Sequence, residues 1–252
     1  MKTFIILPTY NEAQNIEPMI DQLLALDISN IHILLIDDNS QDGTGQIADR
    51  LRDQHSNQVF VMHRPGKMGL GTAYITGFKW ALEQDADCIV QMDADFSHSP
   101  SYLPNFVAKT KEFDVIVGSR YVPGGKLDPR WSGWRFFLSK WANSVWVRLI
   151  LGTQVQDATA GFKCWSRRAL EKILLDQVRS NGYVFQVEMA YLCEKMGLSI
   201  LEYPIYFEDR RIGKSKMTVP VKLEAAWRVF QIRWHYGGLK KISRVEYERV
   251  AA

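Results

Sequence analysis

The sequence predicts an α/β fold, a mainly parallel, doubly wound sheet flanked by helices. Three observations predict it. Apolar runs of strand length alternate with segments whose apolar residues recur at helical spacing, the pattern of βαβ units. The runs are followed by polar clusters: Pro8-Thr9-Tyr10-Asn11-Glu12, Asp37-Asp38-Asn39-Ser40, Asp93-Ala94-Asp95 and Gly118-Ser119-Arg120. Sheets of this kind bind ligands beyond the carboxyl ends of their strands, and turns scattered by chance would not all fall on that edge. Finally, 252 residues suffice for one large domain or two small ones, and no repeat, low-complexity tract or linker divides them. One domain with a C-terminal elaboration is the simplest division.

Thr3 to Leu7 is apolar, stops at Pro8 and predicts the first strand. Gln14 to Leu26 carries Ile16, Met19, Ile20, Leu23 and Leu24 at helical spacing, with Pro18 tolerated in the first turn. Ile31 to Ile36 predicts a second strand. Asp42-Gly43-Thr44 then opens a helix with Ile47, Ala48 and Leu51 on one side. Val59 to Met62 predicts a third strand, and the loop Arg64 to Gly71 leads into a helix reaching about Leu82. Cys88 to Met92 predicts a fourth strand, Pro100 to Lys109 a helix, and Val115 to Val117 a fifth strand.

Composition is that of an ordinary globular chain, 46% hydrophobic and 23% charged. A net charge of +3 is too small to argue for nucleic acid. Cys88, Cys164 and Cys193 lie far apart with no CxxC, and read as reduced core residues in a cytosolic setting. The opening MKTFIILPTYNE lacks a signal peptide's apolar length and cleavage site. No run approaches the roughly 18 apolar residues of a membrane span. Trp131, Trp134, Trp141, Trp146 and Trp165 crowd into one stretch. The first strand is not followed by Gly-x-Gly-x-x-Gly, and there is no Walker lysine loop, which disfavours a dehydrogenase or a P-loop NTPase. Lys67-Met68-Gly69-Leu70-Gly71 suits either a flexible loop and helix start or a weak phosphate cradle.

Asp93 and Asp95, one small residue apart at a strand end, suit a hard divalent cation. Mg²⁺ sits on one or two carboxylates plus substrate phosphates. The tripeptide alone equally suits a turn with two solvated acids, so its neighbours decide.

Those neighbours match a known family. PTYNE (8–12), DDNSQDGT (37–44), GLGTAY (69–74), MDADFSHSP (92–100), GSRYVPGG (118–125), DATAGFK (157–163), GYVFQVEM (182–189) and FEDRRIGKSK (207–216) occur in order. Together they resemble the dolichol-phosphate mannose synthases, or polyprenol-monophosphate mannosyltransferases, inverting enzymes of the GT-A (Rossmann-like) fold. The resemblance spans roughly residues 3 to 216. It implies a GT-A catalytic domain over 1–216, with an amphipathic helix and tail over 217–252 as part of the same unit.

The resemblance implies mannose transfer from GDP-mannose to a polyprenyl phosphate, with Mg²⁺ or Mn²⁺ as cofactor. Pro8, Tyr10, Glu12, Ile36 and Asp38 would hold the nucleotide, Asp38 accepting from base or ribose. Asp93, Ala94 and Asp95 would meet the diphosphate end of the donor. Asp95 would be the direct metal ligand, with Asp93 beside it. Ser97, a further metal residue, stands where some relatives carry Gln. Arg210 and Lys216 would close over the phosphates; a solvated basic turn is the other possibility for that loop. Arg120, Arg135 and Ser139 match the acceptor-phosphate contacts, and Asp93, Asp95, Arg120 and Arg210 form the expected catalytic set. Arg135, Ser139 and Asn143 share one stripe if 132–150 is helical. A phosphate monoester is already an anion, so the acceptor needs no general base. It needs cations that position it, a role suited to the bidentate fork of arginine.

Two stretches are open between core packing and a membrane surface. Trp134, Phe137, Leu138, Trp141 and Val145 lie off the phosphate stripe, near Arg130, Lys140 and Arg148. In Val219 to Trp234, Leu223, Trp227, Phe230 and Trp234 form one stripe, with Lys222, Arg228 and Arg233 nearby; core packing is the default there and membrane or partner docking the alternative. Gln186 and Glu188 suit a cap or buried hydrogen bond as well as acceptor contact. His98 suits a structural role better than metal ligation, since such ions prefer oxygen. Lys163 stands where many relatives carry Arg. The chain resembles the family's short form, without C-terminal spans, sometimes with small membrane subunits. The expectation is a peripheral enzyme on the cytosolic face of a membrane, with no nucleic acid partner. A UDP-sugar donor such as UDP-glucose, a saccharide acceptor, and a non-catalytic nucleotide-sugar-binding subunit are the alternatives.

Overall fold

The computed structural model describes residues 1–130, 133, 140–182, 184–209 and 219–239. Strands β1 (Thr3–Thr9), β2 (Ile31–Asp37), β3 (Val59–His63), β4 (Cys88–Gln91), β5 (Val115–Ser119), β7 (Lys163–Ser166) and β8 (Ile200–Pro204) form one sheet in the order β3-β2-β1-β4-β7-β5-β8. All neighbours are parallel except β7, which runs antiparallel to both β4 and β5. A separate pair joins β6 (Lys126–Leu127) to β9 (Tyr206–Phe207).

Alternate residues of one strand serve two cores. In β1, Phe4 and Ile6 pack on one face of the sheet and Ile5 and Leu7 on the other. A strand buried on both sides reads as a continuous apolar run. Helices α1 (Ile16–Leu24), α2 (Thr44–Gln54) and α4 (Leu103–Lys109) supply Met19, Leu51 and Phe106 to the second face. Helix α3 (Leu70–Glu83) covers the first with Tyr74 and Phe78. Pro8 is accommodated because β1 stops pairing with β4 at Ile6, leaving that side of the strand without a ladder.

Later helices complete the first face. They are α5 (Arg148–Leu151), which continues a π-helical stretch Ala142–Val147, then α6 (Arg167–Lys172), α7 (Val184–Lys195) and α8 (Val219–His235). Among the described residues no helix is long and apolar enough to cross a membrane.

The predicted strands and helices are present, with differences that have local causes. Residues 100–109 split into a 3₁₀ turn, Pro100–Tyr102, and α4, because Ser99 caps the turn and a second proline, Pro104, follows. The five strands read from sequence are joined by β7 and β8. The stripe Arg135–Ser139–Asn143 cannot be followed, since Arg135 and Ser139 lie outside the described residues. All three cysteines are free and buried.

Candidate active site

The polar clusters predicted at strand ends do meet on one edge. The loop after β1 is laced to the loop after β2. Asn11 N–H donates to Ser40 Oγ (2.9 Å), Gln41 N–H to Asn11 Oδ1 (3.0 Å), Glu12 N–H to Thr44 Oγ1 (2.9 Å) and Ala13 N–H to Asp42 Oδ2 (3.1 Å). Asn11 (φ 57°) and Asn39 (φ 58°) take the left-handed turns these loops require, a conformation their short polar side chains tolerate. Pro8, Tyr10 and Glu12 are partly buried along this seam. Lys67 Nζ lies 4.8 Å from the Tyr10 ring centroid. Ile36 is fully buried in the core, so a nucleotide could reach only its backbone.

Asp38 has a partner that sequence reasoning missed. Arg64 Nε donates to Asp38 Oδ1 (2.5 Å) and Arg64 Nη2 to Oδ2 (2.7 Å), with both side chains buried. Arg64 Nη1 reaches Thr72 Oγ1 (2.9 Å) and Nη2 also reaches Gly69 O (3.2 Å). A nucleotide accepted by Asp38 therefore meets a carboxylate already bound to arginine on both oxygens. The glycines of GLGTAY are explained by the chain itself. Gly69 has φ +101°, and a Cβ on Gly71 would sit 2.4 Å from Ser180 O. They admit the 180–181 backbone, with Gly71 N–H donating to Asn181 O (2.9 Å). This packing accounts for both glycines without a phosphate.

Asp93 and Asp95 follow β4. Asp93 Oδ1 accepts from Tyr74 OH (3.0 Å). Burial, then the Asp93 charge, raise the Tyr74 phenol well above its usual range, so it stays a neutral donor. Asp95 is buried, and its Oδ1 accepts from Ser97 Oγ (2.5 Å) and Ser97 N–H (3.1 Å). Ser97 thus holds Asp95 directly. Phe96 between them has φ 61°, a strained backbone for a bulky residue worth about 1–3 kcal/mol. His98 Nδ1 accepts from Asp93 N–H (3.4 Å), and its ring stacks on Phe162 with centroids 5.1 Å apart. Burial lowers its pKa, leaving a neutral imidazole wedged under the loop, the structural role expected of it.

The two carboxylates are hard oxygen donors that suit Mg²⁺ or Mn²⁺. Among the described residues no third His, Cys, Asp or Glu joins them in a metal-holding group. An ion of this class completes its shell with water and substrate phosphates.

Arg120 sits just beyond β5. Its Nε and Nη2 clamp Asp157 at 2.7 and 2.6 Å, and Nη2 also donates to Thr159 Oγ1 (2.8 Å). Burial opposes the guanidinium charge, but Asp157 outweighs it and holds the pKa above the ordinary arginine value. The fork expected to face an acceptor phosphate is therefore already engaged. Beneath the site, Lys163 Nζ donates to Ala160 O and Gln186 Oε1, both 2.6 Å, and Gln91 Nε2 also donates to that oxygen (2.7 Å). Burial lowers the Lys163 ammonium to about 7. Glu188 accepts from Arg179 N–H (3.1 Å), Ser180 N–H (2.8 Å) and Tyr236 OH (2.6 Å), the buried hydrogen-bond role. Arg210, Lys216, Arg135 and Ser139 lie outside the described residues.

Helix α8 packs one stripe on the core, as the default reading has it, but not the stripe of Trp227, Phe230 and Trp234. Val229, Ile232 and Tyr236 are buried, but Trp227, Phe230 and Trp234 are exposed, Trp234 by 88%. Trp146 meets Phe230 edge-on and stacks on Trp141, so Trp141 extends the exposed face. Grooves of about 480 and 640 Å³ flank Trp234, the first bearing Arg179 and Arg228, the second Lys195 and Arg233.

A model of the family described as glycosyl transferase family 2 matches residues 4–176. A polyprenol monophosphomannose synthase from Mycolicibacterium smegmatis is 42% identical over 229 residues, covering 90% of this chain and 85% of that protein. An undecaprenyl-phosphate mannosyltransferase from Micrococcus luteus is 41% identical over 234 residues, covering 93% and 94%. Among solved structures, a mannosyltransferase from Pyrobaculum calidifontis in complex with GDP-mannose and Mn²⁺ superposes with a TM-score of 0.57 at 15% identity, covering 99% of this chain and 78% of that one.

Proposed function

We propose, from the premise that this chain belongs to glycosyl transferase family 2 and within it to the polyprenol-phosphate mannose synthases, that it transfers mannose from GDP-mannose to a polyprenyl phosphate. The observation that carries this is identity above 40% with two polyprenyl-phosphate mannosyltransferases over nine-tenths of the chain. The edge geometry supports it: the paired carboxylates follow β4 and the largely enclosed Arg120 follows β5, two strands of one sheet separated only by β7.

In the reaction, an oxygen of the lipid phosphate attacks the anomeric carbon of mannose. The bond from that carbon to the nucleoside diphosphate breaks, and its electron pair leaves on the β-phosphate oxygen. Attack opposite the leaving group inverts an α-mannosyl donor to a β-mannosyl phospholipid. Asp93 and Asp95 would hold Mg²⁺ or Mn²⁺, which when bound offsets charge on the departing diphosphate. Tyr74 and Ser97 keep those carboxylates oriented. Tyr10, Glu12 and Asp38 bind the nucleotide in this reading, and Arg210 and Lys216 supply charge for its phosphates. Arg120, Arg135 and Ser139 take the acceptor phosphate. No residue need remove a proton, so acceleration comes from positioning and charge stabilisation.

Incubation with labelled GDP-mannose, a short polyprenyl phosphate and Mg²⁺ or Mn²⁺ tests this. Metal-dependent label in the organic phase is expected. Label moving only from UDP-glucose or UDP-GlcNAc would overturn the donor, and none from any donor, in native membranes too, would overturn the enzyme.

The exposed aromatic face of Trp141, Trp227, Phe230 and Trp234, with cations in the flanking grooves, is the surface that meets an anionic bilayer. Replacing Trp227 and Trp234 by alanine is expected to weaken co-sedimentation with anionic liposomes about tenfold or more. Transfer to a short acceptor in detergent should stay intact. Unchanged sedimentation of the folded variant would remove this role.

A further inference from the structure

We propose that Asp157, anchored by Glu202, is the positioning residue that fixes Arg120 and leaves it one nitrogen for the acceptor phosphate. The inference rests on the lipid-phosphate mannosyltransferase reading above and concerns a residue pair to which no role had been given.

A guanidinium has five N–H donors. In Arg120 the Nε donor goes to Asp157 Oδ2, and the two on Nη2 go to Asp157 Oδ1 and Thr159 Oγ1. Arg120 backbone N–H also donates to Asp157 Oδ2 (3.0 Å). Nη1, with two N–H groups, has no partner among the described residues. The Tyr121 and Phe207 rings lie 5.2 and 5.3 Å from the guanidinium carbon and confine the side chain further.

Asp157 is itself fully buried and held from behind. Glu202 in β8 accepts from Gln156 N–H (2.8 Å) and Asp157 N–H (2.9 Å). The same carboxylate accepts from Ser119 Oγ (2.9 Å), one residue before Arg120. Glu202 therefore ties the strand that carries Arg120 to the loop that carries its partner. The two ends of the ion pair cannot drift apart without breaking this knot.

The chemistry explains why such a knot is useful. The acceptor phosphate must be held, yet one of its oxygens is the nucleophile. An unpaired guanidinium would grip two phosphate oxygens with full charge and lower their reactivity. An arginine already paired with a carboxylate offers a single nitrogen and little net charge. It orients the phosphate while leaving the attacking oxygen basic.

Asp157→Asn keeps an acceptor oxygen but removes the charge. It is expected to lower kcat at least tenfold, with KM for the polyprenyl phosphate equal or lower and KM for the donor unchanged. Glu202→Gln should act in the same direction with smaller size. In an Arg120→Lys background, Asp157→Asn should have no further effect on kcat, because it acts through the fork. A merely structural Asp157 would shift melting temperature and both KM values, and its effect would multiply with Arg120→Lys. That multiplication, or wild-type kcat in both single variants, overturns the proposal. If Asp157→Asn does not fold, Glu202→Gln decides by the same readouts. Absence of mannolipid with the wild-type protein would instead sink the reaction itself.

Discussion

Asp95→Ala is expected to lower kcat/KM for mannolipid formation about 10³-fold, roughly 4 kcal/mol of transition-state stabilisation. Its carboxylate is buried at the end of β4 and Ser97 aligns it with two hydrogen bonds. Removal would leave Asp93 to bind the ion alone. Alanine also strips Ser97 of its acceptor, so lost activity could reflect a collapsed loop. Asp95→Asn separates the two effects. The amide oxygen still accepts from Ser97, so melting temperature should stay near that of the parent. Activity should fall nearly as far, because a neutral amide is a poor ligand for a hard cation. Metal titration in the transfer assay makes the check. An Asp95→Asn protein with parental metal dependence would show that the ion is held elsewhere.

The second large effect is on stability. Asp38→Ala would leave Arg64 charged and buried without its partner, at a cost of about 3–5 kcal/mol. For a chain of this size that corresponds to a fall in melting temperature on the order of 10 °C. The loss spreads, since Arg64 also holds Thr72 and the Gly69 carbonyl. Replacing both members by apolar residues, Asp38→Leu with Arg64→Met, should recover much of the stability. It should not recover donor binding if Asp38 reads the nucleotide. Thermal melts of the single and double variants, with donor KM for the double, test both halves. A single variant as stable as the parent would mean that the pair contributes nothing to the fold.

Much of this was legible in the sequence, for reasons that also explain what was not. β1, β2 and β4 are buried on both faces and read as apolar runs, interrupted in β2 only by His32. Their ends are marked by polar clusters, so Asp38, Asp93, Asp95 and Arg120 were visible as edge residues. β7 reads Lys-Cys-Trp-Ser, and a fully buried lysine breaks the expected pattern. β8 is half-buried along its length, with Glu202 in its middle, and carries no strong signal. The partners Arg64, Tyr74, Asp157 and Glu202 were hidden for a different reason. Each depends on which strands lie side by side or, for Tyr74, on how helix α3 seats on the sheet, and nothing local to Asp38, Asp93 or Arg120 encodes that. Helix α8 shows a third limit. Val229, Ile232 and Tyr236 form one apolar stripe and Trp227, Phe230 and Trp234 another, so spacing alone could not tell the buried stripe from the exposed one.

The place of β7 has a consequence for how the chain is made. The strands β3, β2, β1 and β4 can zip together as they leave the ribosome, since each neighbour is already synthesised. β5 is made next but has no seat beside β4, because β7 belongs between them. Until residue 166 emerges, β4 and β5 both present open edges, the kind of surface that invites wrong pairing. The segment that closes this gap also brings Asp157 to Arg120 and Phe162 to His98. Closure of the gap between β4 and β5 and the meeting of Asp157 with Arg120 thus belong to one late stretch of the nascent chain, and β8, with Glu202, seals the far edge of β5 only after it.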